Sequence, residues 1–354
     1  SPDGRRLASS SKDGSVIICD TKTGKQLLQY TKHKQEVNTL AWSPDGTLIA
    51  SGANTIHVWD ASNGDVFVNY KGHQGKVITI AWFDDGMRIV SSSIVKDTTN
   101  WEYEYANKYY SHNTKTQIWN VSNVSVALEI PGYAKGLNRK NSMLAVARDR
   151  WIESCSQGCK DKHAYSYHDY LTSINSILYI VDVSQGEIYS TWEKTVPSTR
   201  DNRTSDGIVS CVWSPAKYQS NEDYLAYVNQ SASGSEVKVL KCEIITEQLT
   251  KSGGFLGLKT IVTGTQNVLK LSSMQESSFD SRGINNLSWA ADGRYFVYSL
   301  DTVFIHDIQA AKTVTRQTEH PHQISSICWF PDSKKLALGK IDGGIVIWTP
   351  KLPN

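Results

Sequence analysis

The side chains of this chain best suited to acid–base or metal chemistry are its nine histidines and six cysteines. His33 and His73 each stand near serines and aspartates, the set that a Ser-His-Asp hydrolase site needs. Neither is accompanied by a nucleophile elbow or a paired-base pattern, so catalysis is not expected of them. A second group, Cys155, Cys159, His163 and His168, supplies two thiolates and two imidazoles, a sufficient set for tetrahedral zinc. On a helix Cys155, Cys159 and His163 would line one face at four-residue steps, yet the two-residue knuckle between cysteines is absent. The expectation is a Cys/His loop without a cofactor, with zinc as the alternative. The glycine-rich stretch Ser252 to Lys259 has neither a P-loop nor a dinucleotide fingerprint in a strand-to-helix setting and reads as a loop.

Composition narrows the classes of partner. The 37 basic and 35 acidic residues nearly cancel, leaving a formal charge of +2 that gives no general pull toward nucleic acid or anionic lipid. Six thinly spread cysteines, three of them inside apolar strand patterns, fit buried thiols in a reducing compartment better than a disulfide framework. There is no apolar run of about 18 residues and no basic segment followed by an apolar stretch at the N-terminus, so neither a membrane span nor a signal peptide is expected. The chain therefore reads as soluble and cytoplasmic. With 39% hydrophobic residues, 11 Trp and 17 Tyr, it has ample material for a large core.

The elements that would position these groups follow a period near 40 residues. Val37-Asn-Thr-Leu-Ala-Trp42-Ser-Pro-Asp-Gly46 recurs as Val77-Ile-Thr-Ile-Ala-Trp82-Phe-Asp-Asp-Gly86. It returns as Ile208 to Pro215, Ile284 to Gly293 and Ile324 to Asp332. Each copy reads as a strand of alternating apolar positions, a Pro-Asp-Gly type of turn and a second strand. A third strand ends in an aromatic–acid pair or its relic, as in Ile56-His-Val-Trp59-Asp60, Gln117-Ile-Trp119-Asn120, Tyr179-Ile-Val-Asp182, Phe304-Ile-His-Asp307 and Ile345-Val-Ile-Trp348. After turns such as Asn63-Gly64 a fourth strand closes the unit.

With Gly72-His73 before a first strand and Trp59-Asp60 at the end of a third, the chain resembles the tryptophan-aspartate (WD) repeat family. Lys32-His33 and Glu319-His320 keep the histidine, whereas Thr204 and Asp280 stand in its place in two repeats, and Cys19, Val181 and His306 replace the tryptophan. The resemblance implies an all-β, seven-bladed propeller of four-stranded antiparallel blades, over about 1–33, 34–73, 74–134, 135–202, 203–278, 279–320 and 321–354. The fourth of these is assigned mainly by elimination. It also implies that the histidine belongs to a buried hydrogen-bond network, here His33 with Ser51 and Trp59, and His73 with Ser91 and Trp119. Ser1-Pro-Asp-Gly4 is the turn after a first strand, and the chain stops at Trp348-Thr-Pro-Lys-Leu-Pro-Asn354 without a fourth. Closing strands are therefore expected just upstream, on a longer chain of which this is the C-terminal part.

Three insertions break the repeat. One spans Ser93 to Thr116 and carries Trp101, Tyr103, Tyr105, Tyr109 and Tyr110. Another spans Asp149 to Ser176 and carries Trp151, Tyr165, Tyr167 and Tyr170 beside the Cys/His cluster. The third, Thr250 to Ser278 after the third strand of blade five, carries Phe255. If they are second-to-third or fourth-to-first connections, all three leave one end of the ring. Adjacent loops rich in Trp and Tyr suit protein recognition, because these side chains give large contact area at modest entropy cost. The expected role is a non-enzymatic recognition or sensor scaffold for a protein partner, including an upstream signalling or effector domain of the same chain. The alternatives are an autoinhibitory lid over an attached enzyme domain and, from another class, a propeller enzyme with a central-channel site.

Overall fold

The computed structural model describes residues 1–94, 114–138, 143–152, 173–183, 187–197, 207–215, 223–231, 234–252, 260–279, 286–299, 302–310, 312–317 and 324–353. Among them every regular element is a strand. The first sheet holds β1 (Arg6–Ser10), β2 (Val16–Asp20) and β3 (Gln26–Tyr30). The second holds β4 (Thr39–Trp42), β5 (Leu48–Gly52), β6 (Ile56–Asp60) and β7 (Val66–Tyr70). The third holds β8 (Lys76–Trp82), β9 (Arg88–Ile94), β10 (Thr114–Asn120) and β11 (Val126–Pro131). The fourth holds β12 (Tyr133–Asn138), β13 (Met143–Ile152), β14 (Ser173–Asp182) and β15 (Glu187–Pro197), so the region assigned by elimination is a blade like the others. The fifth holds β16 (Gly207–Trp213), β17 (Asp223–Ser231), β18 (Gly234–Ser252) and β19 (Thr260–Phe279). The sixth holds β20 (Asn286–Trp289), β21 (Tyr295–Ser299), β22 (Val303–Asp307) and β23 (Lys312–Gln317). The last holds β24 (Ile324–Trp329), β25 (Leu336–Lys340) and β26 (Ile345–Trp348). Each sheet is an antiparallel meander, and together they make a seven-bladed β-propeller whose first and last sheets have three strands.

The repeated turn explains the repeated start of each blade. Gly46, Gly86 and Gly293 close the first-to-second turn at φ of 73°, 65° and 73°, a left-handed conformation that glycine adopts without a side-chain clash, and Gly4 ahead of β1 has the same conformation at 71°. In the last blade Ser333 takes the same place at φ 55°.

Apolar residues then seal blade to blade. Consecutive sheets share a core: Val16, Ile18 and Tyr30 with Ile49 and Trp59 between the first two, and Ala50, Ile56 and Val58 with Ile80, Trp82 and Trp119 between the next two. The same arrangement continues through the ring to Val297 and Ile305 against Leu336 and Leu338. The packing is close enough that a Cβ on Gly52 would meet Ile80 and Val77 of the neighbouring blade at 2.8 Å. First-strand tryptophans tie neighbouring blades by hydrogen bonds as well. Trp82 Nε1 donates to Ala41 O at 3.2 Å, Trp213 Nε1 to Gly136 O at 3.2 Å and Trp289 Nε1 to Val212 O at 3.1 Å.

In such a meander the second-to-third and fourth-to-first connections lie at one end of the blade, and the first-to-second and third-to-fourth connections at the other. The insertions of blades three and four are second-to-third connections, between Ile94 and Thr114 and between Ile152 and Ser173. That of blade five is not. Its residues extend β18 to Ser252 and β19 from Thr260, so it is a third-to-fourth hairpin at the opposite end. The expectation of three insertions at one end is corrected to two. The physical reason is that the backbone ladder between β18 and β19 simply continues, through a stretch rich in Ile, Thr and Val that suits a strand.

Candidate functional site

The histidine of blade two sits in the fourth-to-first connection and reaches back into its own blade. His33 Nε2 lies 2.7 Å from Ser51 Oγ on β5, and Trp59 Nε1 on β6 donates to the same oxygen at 3.0 Å. Blade three repeats the arrangement, with His73 Nε2 2.7 Å from Ser91 Oγ and Trp119 Nε1 donating to Ser91 Oγ at 3.0 Å. A serine hydroxyl has one proton to give and two lone pairs, so each serine can hold the indole N–H and the imidazole nitrogen at once. Ser51 and Ser91 are fully buried, so neither hydroxyl can meet a substrate. Burial also pushes His33 and His73 down to about 4, holding both rings neutral near pH 7. These features suit a register pin inside the blade, not a general base.

The surroundings of the network were not legible from its three predicted members. Tyr30, at the end of β3, stacks on Trp59 with ring centroids 4.3 Å apart and planes 5° apart. Tyr70, at the end of β7, does the same with Trp119 at 4.2 Å and 3°. Each network thus joins two blades, because the tyrosine belongs to the blade before the tryptophan. The signal was present in the sequence, since Tyr30 and Tyr70 recur with the period of the repeat. His57 was also missed. Its ring stacks on His33 at 4.0 Å, and its Nδ1 lies 2.7 Å from the Tyr30 hydroxyl. Burial raises Tyr30 far above the ordinary phenol range, so the hydroxyl keeps its proton and pairs with His57 as a neutral group. Blade three puts Gln117 in that place, and Tyr70 donates to its Oε1 at 2.8 Å. Blade six varies the theme again: His306, at the tryptophan position, lies 2.9 Å from the Tyr298 hydroxyl and is lowered to about 4 by burial.

The predicted contact residues fall elsewhere. Trp151 lies on β13, opposite Ile174 of β14, and so belongs to a strand where a loop was expected. Trp101, Tyr103, Tyr105, Tyr109, Tyr110, Tyr165, Tyr167 and Tyr170 lie outside the described residues, as do Cys155, Cys159, His163 and His168. Phe255 also lies outside them, in the segment between Ser252 and Thr260. Among the described residues there is no group of three or more His, Cys, Asp or Glu placed to hold a metal ion.

Comparison with known proteins supports the architecture independently. A family model described as "WD domain, G-beta repeat" matches residues 1–20, 24–60, 64–99 and 311–349. WD repeat-containing protein 1 of Mus musculus is 41% identical over 64 residues, which is 17% of this chain and 11% of that protein. Coronin-7 of Mus musculus is 44% identical over 52 residues, 15% of this chain and 6% of that protein. The chain thus matches about a tenth or less of the length of these curated relatives. Among solved structures, the Cps50 (Swd1) β-propeller domain of Myceliophteria thermophila superposes with a TM-score of 0.62 at 13% identity, covering 98% of this chain and 94% of that one.

Proposed function

The chain is a WD-repeat β-propeller, and from that premise we propose that it is a non-catalytic recognition scaffold whose protein partner docks on the end bearing the insertions of blades three and four. Propellers of this family generally serve as platforms for protein–protein interaction. The observation that carries the choice of end is the pair of long second-to-third connections in adjacent blades, which open between Ile94 and Thr114 and between Ile152 and Ser173. Rigid sheets that support long connections are the usual way a fold presents a binding surface. Trp101, Tyr103, Tyr105, Tyr109 and Tyr110 in the first insertion, and Trp151, Tyr165, Tyr167 and Tyr170 at the second, would supply the aromatic anchors. The buried serines argue against a hydrolytic role for the histidines.

The test is affinity capture with the wild-type chain and with a variant carrying alanine at Trp101, Tyr105, Trp151 and Tyr167. The expected result is loss of the partners that the wild type retains, with an unchanged thermal unfolding midpoint. Capture of the same partners by both chains would overturn the assignment of this end.

A further inference from the structure

Blade five carries an element that the other blades lack among the described residues. Past the pair Asp223↔Cys242, β18 leaves β17 behind and continues with β19 alone, through pairs running from Glu243↔Lys270 to Ser252↔Thr260. Ten residues of β18 at ~3.3 Å each make an arm of roughly 30 Å. A two-stranded ribbon is marginal by itself in water, and three strands are the usual minimum for a stable sheet. The arm therefore calls for another strand.

The sequence says where that strand would join. β18 carries Glu243, Glu247 and Lys251 along the arm, whereas the outermost strand, from Thr260 through Leu269, reads Thr-Ile-Val-Thr-Gly-Thr-Gln-Asn-Val-Leu with no charged residue and no proline. The outer strands β3, β7 and β11 are protected by being short, at five or six residues. Long free edges are normally guarded by charge, proline or a covering segment. This edge is long and rich in strand-forming residues, its guards are Lys270 at the base and one irregularity of the ladder between Leu249 and Thr250, and among the described residues β19 is bonded on one side only.

Its order also selects an occupant. About Thr265 the segment has the same character in both directions: Ile261-Val262 on one side is matched by Val268-Leu269 on the other, and Thr263 by Asn267. An antiparallel copy of the same edge sets Ile261-Val262 against Val268-Leu269, apolar against apolar, with Thr265 beside the two-fold axis. We infer that the arm pairs edge to edge with the arm of a second copy of this chain, giving a four-stranded sheet ordered β18-β19-β19-β18 across a two-fold dimer. Among the described residues each chain has one such edge, so the assembly closes at two.

Sedimentation equilibrium of the whole chain tests this. The wild type is expected to be a dimer, and Thr265→Lys and Thr265→Glu are each expected to be monomers, because like charges then lie opposite each other at the axis. An equimolar mixture of the two variants is expected to recover the dimer, which damage to the fold would not allow. The two variants should unfold at one temperature, no higher than that of the wild type, whose midpoint should rise with concentration. A wild type that is monomeric at every concentration overturns the proposal. So does a polymer larger than a dimer, a dimer indifferent to both variants, or a mixture that stays monomeric. Capture of a different protein by the arm of a monomeric chain would reassign the edge to a foreign strand.

Discussion

Blades two and three solve the same packing problem with one difference. Both clamp a histidine, a serine and a tryptophan together and cover the indole with a tyrosine from the preceding blade. Where blade three offers the tyrosine hydroxyl a neutral amide, Gln117, blade two offers a second imidazole, His57, stacked on the first. The comparison separates what the two blades share from what varies between them. Common to the two are a satisfied serine and a flat aromatic pair that spans two blades; what varies is the neutral group beside the tyrosine hydroxyl, an amide or an imidazole. Blade six departs from both, since His306 replaces the tryptophan and its tyrosine partner, Tyr298, comes from the same blade, where the other two have the serine.

If the two blades are equivalent in this sense, matched substitutions should cost the same in each. Trp59→Ala and Trp119→Ala remove fully buried indoles and open a cavity between blades, at an expected cost of about 3–5 kcal/mol each. Urea unfolding checks this, and a cost confined to one blade would end the equivalence. Ser51→Ala and Ser91→Ala leave a buried indole N–H and an imidazole without their shared partner, for about 1–3 kcal/mol each. The serine variants should retain cooperative unfolding, because the tyrosine–tryptophan stack survives.

The second imidazole should make blade two the more acid-sensitive. Burial, with the neighbouring His57, lowers His33 to about 4, and burial, with the Lys32 ammonium nearby, lowers His57. For a histidine held below its unfolded value the unfolded chain binds more protons. The stabilisation is therefore complete above about pH 6.5 and is lost as pH falls toward about 4, by at most about 1.4 kcal/mol per pH unit for each such group. His57→Gln, which copies blade three, should flatten the fall in unfolding free energy over that window. An unchanged slope would mean that the stacked pair contributes nothing to the acid response.

Legibility from the sequence follows the same divide between blades. The turn glycines, first-strand tryptophans and Trp59-Asp60 recur at a fixed spacing, and they placed blades two and three closely. The histidine networks were reached through these landmarks, since His33, Ser51 and Trp59 occupy the same places as His73, Ser91 and Trp119. The tyrosine stacks were not read, because they join side chains from different blades that no strand period connects. Blade four could be assigned only by elimination, since Val181 stands where the tryptophan would be and the segment from Tyr133 to Asn138 lacks the apolar Trp ending of the other first strands. Gly253 and Gly254 give this part of blade five the character of a loop in the sequence. Strand length there is set by a backbone ladder that leaves little trace in apolar alternation.

The smallest expected effect lies at the rim of blade three. Glu129 on β11 accepts from Lys115 Nζ at 2.8 Å and from Gln117 Nε2 at 2.9 Å, and these two bonds hold its carboxyl below the usual range. Both partners of the ion pair are largely exposed, so water and salt screen their attraction and side-chain ordering offsets much of the rest. Lys115→Ala should therefore cost less than about 1 kcal/mol, and less still in high salt. Glu129→Ala removes in addition the acceptor that orients Gln117, whose Oε1 receives the Tyr70 hydroxyl. It should cost more than Lys115→Ala, and the excess should disappear in a Gln117→His background, where blade three takes on the acceptor of blade two. A double-mutant cycle measured by urea unfolding reads that excess directly; no coupling between Glu129 and Gln117 would show that the tyrosine clamp does not depend on the rim.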